Sequence, residues 1–189
     1  MPWDEAKFEH FADATIRMAR GDLPGYGYPH VVLPYPPAEE RACIEQLRGL
    51  PGRLRQAGFS TELVPVCRHV AQAVKRFATR PLEDAGEYAR LQADLSDPRT
   101  GVGPRAASLL AQSLAGSGAR DGILVLGRLG ALYPFAHVSA FMESLQQDLQ
   151  RQGMRLTLAV AYPGSSEGTR LRFLGLVDPT GGYRGHVVT

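Results

Sequence analysis

The sequence predicts an α/β protein, a Rossmann-like three-layer fold built on a mostly parallel sheet of about five to six strands. Three observations carry this expectation. Short apolar or β-branched segments alternate with amphipathic helical segments, the pattern of strands joined by right-handed helical crossovers. Ile123-Leu124-Val125-Leu126 is an unbroken apolar run, which suits a strand buried on both faces of a parallel sheet. The length, 189 residues, is enough for one complete core without disulfides or metals.

Asp4 can cap a first helix in which Phe8, Phe11, Ala12, Thr15, Ile16 and Ala19 recur at three- and four-residue spacing up to Gly21. Pro24, Gly25, Gly27 and Pro29 mark a turn-rich connector after it. Residues 1–29 therefore read as an N-terminal helix and connector, and residues 30–189 as a single α/β domain. His30 to Tyr35 is the first strand. Pro36-Pro37, with Glu39 and Glu40, has the fixed φ and the first-turn negative charge that open a helix. That helix turns Ala42, Cys43, Leu47, Leu50 and Leu54 inward, with a kink expected at Gly49-Leu50-Pro51-Gly52 and an end at Gly58. Thr61 to Val66 is the second strand, residues 67–79 another helix, and Pro81 to Gly118 two more, joined by a loop from Ser96 to Gly103. The apolar run at 123–126, the third strand, leads through Gly127 to Gly130 into a helix from Pro134 to Gln152, with Pro134 presetting its first turn. Residues 155–162, Arg170 to Val177 and Tyr183 to Val188 supply three more strands. The turn from Asp178 to Gly182 would let the final two pair antiparallel, giving the sheet an antiparallel C-terminal edge.

Basic residues number 21 against 19 acidic, a net charge of +2 spread along the chain, so direct nucleic-acid binding is not expected. No apolar run approaches the roughly 18 residues of a membrane span, and no secretory signal region is visible. Cys43 and Cys67 lie far apart with no CxxC spacing, which points to neither a disulfide framework nor a zinc site and fits a reducing cytoplasm.

A Rossmann-like sheet calls for a search for phosphate loops, whose clustered glycines let backbone N–H groups face an anion. Neither GxxxxGK[ST] nor GxGxxG occurs; the nearest substitutes are Gly127-Arg128-Leu129-Gly130 and Gly164 to Arg170. No cofactor is expected. Gly164-Ser165-Ser166-Glu167-Gly168 matches GxSxG, with Asp178 and His186 following in the order of an α/β-hydrolase triad. A nucleophile elbow must turn from strand into helix, whereas Thr169 to Val177 reads as strand, so the match is a decoy and no catalytic residue is expected. The five histidines are dispersed, and Cys67 with His69 cannot complete a metal site. His137 stands apart for its position near the expected switch point of the sheet.

Leu124-Val125-Leu126-Gly127 through Leu132-Tyr133-Pro134-Phe135 to Leu145-Gln146, followed by Tyr162-Pro163-Gly164 and Leu171-Arg172-Phe173-Leu174-Gly175, form a distinctive series. It resembles the BrxB family of the BREX bacteriophage-exclusion systems. The likeness extends to Tyr35-Pro36-Pro37 with Glu39-Glu40 and to Tyr183-Arg184, so it covers most of residues 30–188. The chain departs from the family pattern at Ala136-His137-Val138-Ser139, where arginine and histidine are usual, and at Glu167-Gly168, where aspartate-glycine is frequent. The resemblance implies a cytoplasmic, non-catalytic protein of antiviral defence, working beside an alkaline-phosphatase-like protein, an ATPase and a methyltransferase. Its expected role is assembly, through a surface near Tyr35, Arg128, Tyr133, Pro134, Phe135, His137, Tyr162, Pro163, Gly164, Arg170 and Arg172. The alternative is a degenerate nucleotide or nucleic-acid binder using Arg128, Arg170 and Arg172. Oligomeric state is left open by the sequence.

Overall fold

The computed structural model describes residues 3–24, 29–77, 84–176 and 185–189. In chain order the elements are α1 (Glu5–Arg20), β1 (His30–Tyr35), α2 (Glu40–Gln56), β2 (Thr61–Pro65), α3 (Cys67–Lys75), α4 (Ala85–Ser96), α5 (Val102–Gly116), β3 (Asp121–Gly127), α6 (Val138–Arg151), β4 (Arg155–Glu167), β5 (Arg170–Phe173) and β6 (His186–Val187). The fold is α/β with a mostly parallel, open, six-stranded sheet flanked by helices. Two compact units divide the chain: one of Met1–Pro65, Arg120–Gly130 and Arg155–Thr189, the other of Val66–Ala119 and Ala131–Met154.

The first unit holds the sheet, in the order β2-β3-β4-β1-β6 with β5 paired to β4 alone. All neighbours along that path are parallel, and β5 runs antiparallel to the outer part of β4. Alternation along each strand sets the two faces. Val31, Leu33, Tyr35, Ile123, Val125, Ala159 and Ala161 meet the apolar sides of α1 and α2 in one core cluster. Val32, Leu124, Leu126, Leu158 and Val160, pointing the other way, are equally buried, which is why the central strands read as continuous apolar runs.

α1 forms where its sequence pattern places it. The Asp4 side chain accepts from the Lys7 N–H, and Gly21 closes the helix in the left-handed conformation. Phe8, Phe11, Ala12, Thr15 and Met18 are buried, and the Thr15 hydroxyl donates to the Phe11 carbonyl. Arg53 of α2 donates two hydrogen bonds to the Glu9 carboxylate, at 2.6 and 2.7 Å; at this exposure the pair is worth about 0.2–1 kcal/mol, so burial rather than charge secures α1.

The second unit is helical. α5 buries Val102, Ala106, Ala107, Leu110, Ala111 and Leu114, and α6 buries Val138, Phe141, Met142, Leu145 and Leu149. A Cβ at Gly103 would come within 2.6 Å of the Ala136 Cβ, so glycine there permits close approach of the two segments. Arg105 stacks over Phe77, 4.7 Å from the ring centre. α4 is capped by Asp84 but buries no residue, and Tyr88 is 61% exposed.

α2 runs from Glu40 to Gln56 with Pro51 inside it and Leu47, Leu50 and Leu54 buried. Three expectations need correction. The helix expected from Pro134 starts at Val138. Residues 129–132 form a 3-10 turn, and Phe135 and Ala136 both donate to the Leu132 carbonyl, so Tyr133-Pro134, a cis peptide, lies in a turn and not in a helix. The strand expected over 155–162 continues to Glu167, because β5 returns to pair with it. Among the described residues the final strands do not pair with each other: β5 pairs with β4, and β6 adds parallel to β1. The turn expected at 178–182 lies outside the described residues, as do Tyr183 and Arg184.

The histidines set an acid limit. Burial lowers the affinity of His69, His137 and His186 for protons below the ordinary value of 6.5, reinforced at His69 by Arg68 and at His186 by His10 and then Arg17. Below 6.5 the unfolded chain therefore binds more protons than the folded one, so stability falls as the pH drops through that value. The expected result is a lower urea midpoint at about pH 5.5 than at about pH 7.5, with the difference reduced in His186→Gln. Equal midpoints would contradict it.

Candidate functional site

In open parallel sheets, ligands sit at the carboxyl ends of strands where the winding reverses. Here the chain goes from β1 to the far edge, β2, and returns through β3 to β4, beside β1. The switch point thus lies at the carboxyl ends of β1, β3 and β4. Tyr35 ends β1, Arg128 comes directly after β3, and Pro163 is level with Tyr35. Of the residues picked out from sequence, Tyr35, Arg128, Tyr162, Pro163, Gly164, Arg170 and Arg172 belong to the sheet unit, and Tyr133, Pro134, Phe135 and His137 to the helical unit.

The first strand-to-helix turn is chemically unsuited to phosphate. Pro36 and Pro37 offer no N–H, and Glu39 and Glu40 bring negative charge to the start of α2. The Tyr35 hydroxyl donates to Glu40 Oε2. Burial first, and then that hydrogen bond, push the Tyr35 phenol well above its ordinary range, while the positive charge of Arg128 acts the opposite way. Burial and then the Glu40 carboxylate likewise raise the Cys43 thiol. Both groups are protonated at neutral pH, so neither is an ionised nucleophile.

A hairpin extends from this end of the sheet. β4 continues for residues 164–167 beyond the level of Tyr35, a rise of about 13 Å, and turns back as β5. Tyr162 packs against Phe173 in a tilted arrangement, 5.7 Å between ring centres, and the Leu174 N–H donates to the Pro163 carbonyl. The turn after β3 closes on this base: Leu174 Cδ2 and Pro163 Cγ both lie 3.8 Å from where a Gly130 Cβ would sit. A Gly164 Cβ would run into the Arg172 carbonyl oxygen, so the hairpin demands glycine at that position. Parity along β4 and β5 puts Tyr162, Leu171 and Phe173 on a buried face, and Ser165, Glu167, Arg170 and Arg172 on an exposed one.

Ser166 lies within this hairpin and is followed by β5, not by a helix; the strained elbow that activates a GxSxG serine is not formed there. His186, in β6, faces His10 at 6.3 Å between ring centres, and Asp178 lies outside the described residues. His137 caps α6, its Nδ1 accepting from the Ser139 N–H. Tyr133 is 46% exposed in the turn before it. Among the described residues no group of three His, Cys, Asp or Glu is placed to hold a metal, and no helix is long and apolar enough to cross a membrane.

Two participants were missed from sequence: Glu40 as the acceptor for Tyr35, and Leu174 as the left-handed residue ending β5. Only Leu174-Gly175 carried a signal, a turn dipeptide after an alternating strand. The Tyr162 hydroxyl is buried and has no hydrogen-bond partner among the described residues, and burial raises its proton affinity. An unpaired buried hydroxyl costs about 1–3 kcal/mol. Tyr162→Phe, which keeps the packing against Phe173, should therefore raise unfolding stability by about 1 kcal/mol, measured by urea titration; a loss of stability would show that the hydroxyl is needed.

Comparison with curated proteins gives no match, and neither does comparison with solved structures. Residues 99–188 match a family model, BrxB, described as BREX protein BrxB. The matched stretch runs from the loop before α5 to the residue after β6 and includes every residue picked out from sequence except Tyr35. Over these residues, just under half of the 189, the chain is similar to the BrxB family of BREX systems.

Proposed function

We propose that this protein is a non-catalytic assembly subunit of a BREX complex. The family implies a component of BREX phage defence. The observation that carries the finer reading is what stands at the switch point. There β4 continues into the β4–β5 hairpin, and the adjoining turn presents Pro36, Pro37, Glu39 and Glu40 in place of N–H donors. A chain whose sheet end projects a charged hairpin is better suited to holding another protein than to turning over a small molecule. The larger partner would be the phosphatase-like, ATPase or methyltransferase component of the system, met in the cytoplasm. The nucleotide-binding alternative is disfavoured by the negative charge at α2.

The test is affinity purification of the tagged chain from cells carrying the whole system. One system protein should be recovered in near-equal amount. Recovery of the chain alone at low salt would contradict the assembly role.

A further inference from the structure

We propose that the corner formed by the turn at 127–130 and the end of β5 is a docking surface for another protein, and that Arg128 receives a carboxylate there. This rests on the assembly reading above and specifies its surface. Among the described residues, two non-glycine residues have positive φ, Arg128 at 58° and Leu174 at 53°. They belong to the two segments that touch at Gly130 and Pro163. Left-handed backbone is unfavourable for a residue with a Cβ and gathers where a site over-determines it. Glycine would fit position 128 without cost, and the chain has one next door at 127. Keeping arginine at 128 serves the guanidinium, which is exposed at the carboxyl edge of the sheet.

The surroundings define the occupant. Arg172 projects from the exposed face of the same hairpin, and Leu176, 68% exposed, lies just beyond Leu174. Arginine beside exposed apolar surface is the composition of a protein-binding hot spot. A nucleic-acid backbone, which is held by a run of positive charges, fits poorly, because the net charge is only +2 and is spread along the chain. The chemistry selects a protein segment with an aspartate or glutamate next to an apolar side chain, held by a bidentate pair at Arg128.

The experiment compares wild type, Arg128→Gly and Arg128→Lys, each tagged and purified from cells carrying the whole system, with and without nuclease. Arg128→Gly relieves the left-handed backbone, so its melting temperature should equal or exceed that of wild type while the recovered system protein falls about tenfold or more. Arg128→Lys, which loses the bidentate fork, should also recover less. A photo-crosslinking residue in place of Leu176 should attach to a partner segment containing Asp or Glu. Undiminished recovery with Arg128→Gly would overturn the docking surface and leave the assembly role standing. No system protein with wild type would remove both, and recovery abolished by nuclease would assign the corner to nucleic acid instead.

Discussion

Gly164→Ala should destabilise the protein by about 2–4 kcal/mol, one of the largest effects available from adding a single methyl group. The added Cβ would collide with the Arg172 carbonyl oxygen, which is backbone and cannot turn aside, and with the Tyr162 ring, 2.8 Å from the ideal Cβ position. Relief requires the hairpin to open, and opening breaks the register Gly164↔Phe173 to Glu167↔Arg170 together with the Leu174 to Pro163 hydrogen bond. The measurement is amide hydrogen exchange alongside urea unfolding. Amides of residues 164–174 should exchange faster in the variant, while those of β1 and β3 should change only in proportion to the loss of global stability. An unchanged hairpin would mean that β5 can shift as a unit. The result bears on the family likeness, since Tyr162-Pro163-Gly164 then has a structural reason: it ends the parallel part of β4 and starts the β4–β5 hairpin.

Phe11→Ala should cost about 3–5 kcal/mol, the range for emptying a large buried aromatic site. Phe11 is fully buried in the cluster that joins α1 to β1, β4 and α2. For a chain of this size that loss lowers the melting temperature by about 6–20 °C. Asp13→Ala, on the exposed side of the same helix, should change stability by no more than about 0.5 kcal/mol. A small loss at Phe11 would make α1 an appendage. The expected loss makes it part of the core, although the sequence alone set it apart with residues 1–29.

How far each feature could be read in advance depends on how local it is. The sheet was legible because Ile123 to Leu126 and His30 to Tyr35 declare burial through composition, and α1 because its cap and apolar spacing agree. The start of α6 was misplaced because Pro134 suits a helix's first turn equally well as a chain-reversing turn, and the Leu132 carbonyl decides between them by accepting from Phe135 and Ala136. The length of β4 was hidden because Ser165, Ser166 and Glu167 have low strand preference; they are extended because β5 supplies hydrogen bonds from a short distance along the chain. The Tyr35–Glu40 pair and the left-handed Arg128 depend on three-dimensional placement, and no spacing rule announces either. The GxSxG decoy was rejected from sequence on the strand reading of Thr169 to Val177, and β5 supplies that strand at Arg170–Phe173.

The central claim is that this chain binds a protein at the sheet end that carries the β4–β5 hairpin. Native mass measurement of the tagged chain, purified gently from cells carrying the whole system, tests it most directly. The expected mass is that of the chain plus one larger system protein, dissociating as salt is raised. The mass of the chain with a bound nucleotide, or of the chain alone at every salt concentration, would contradict it.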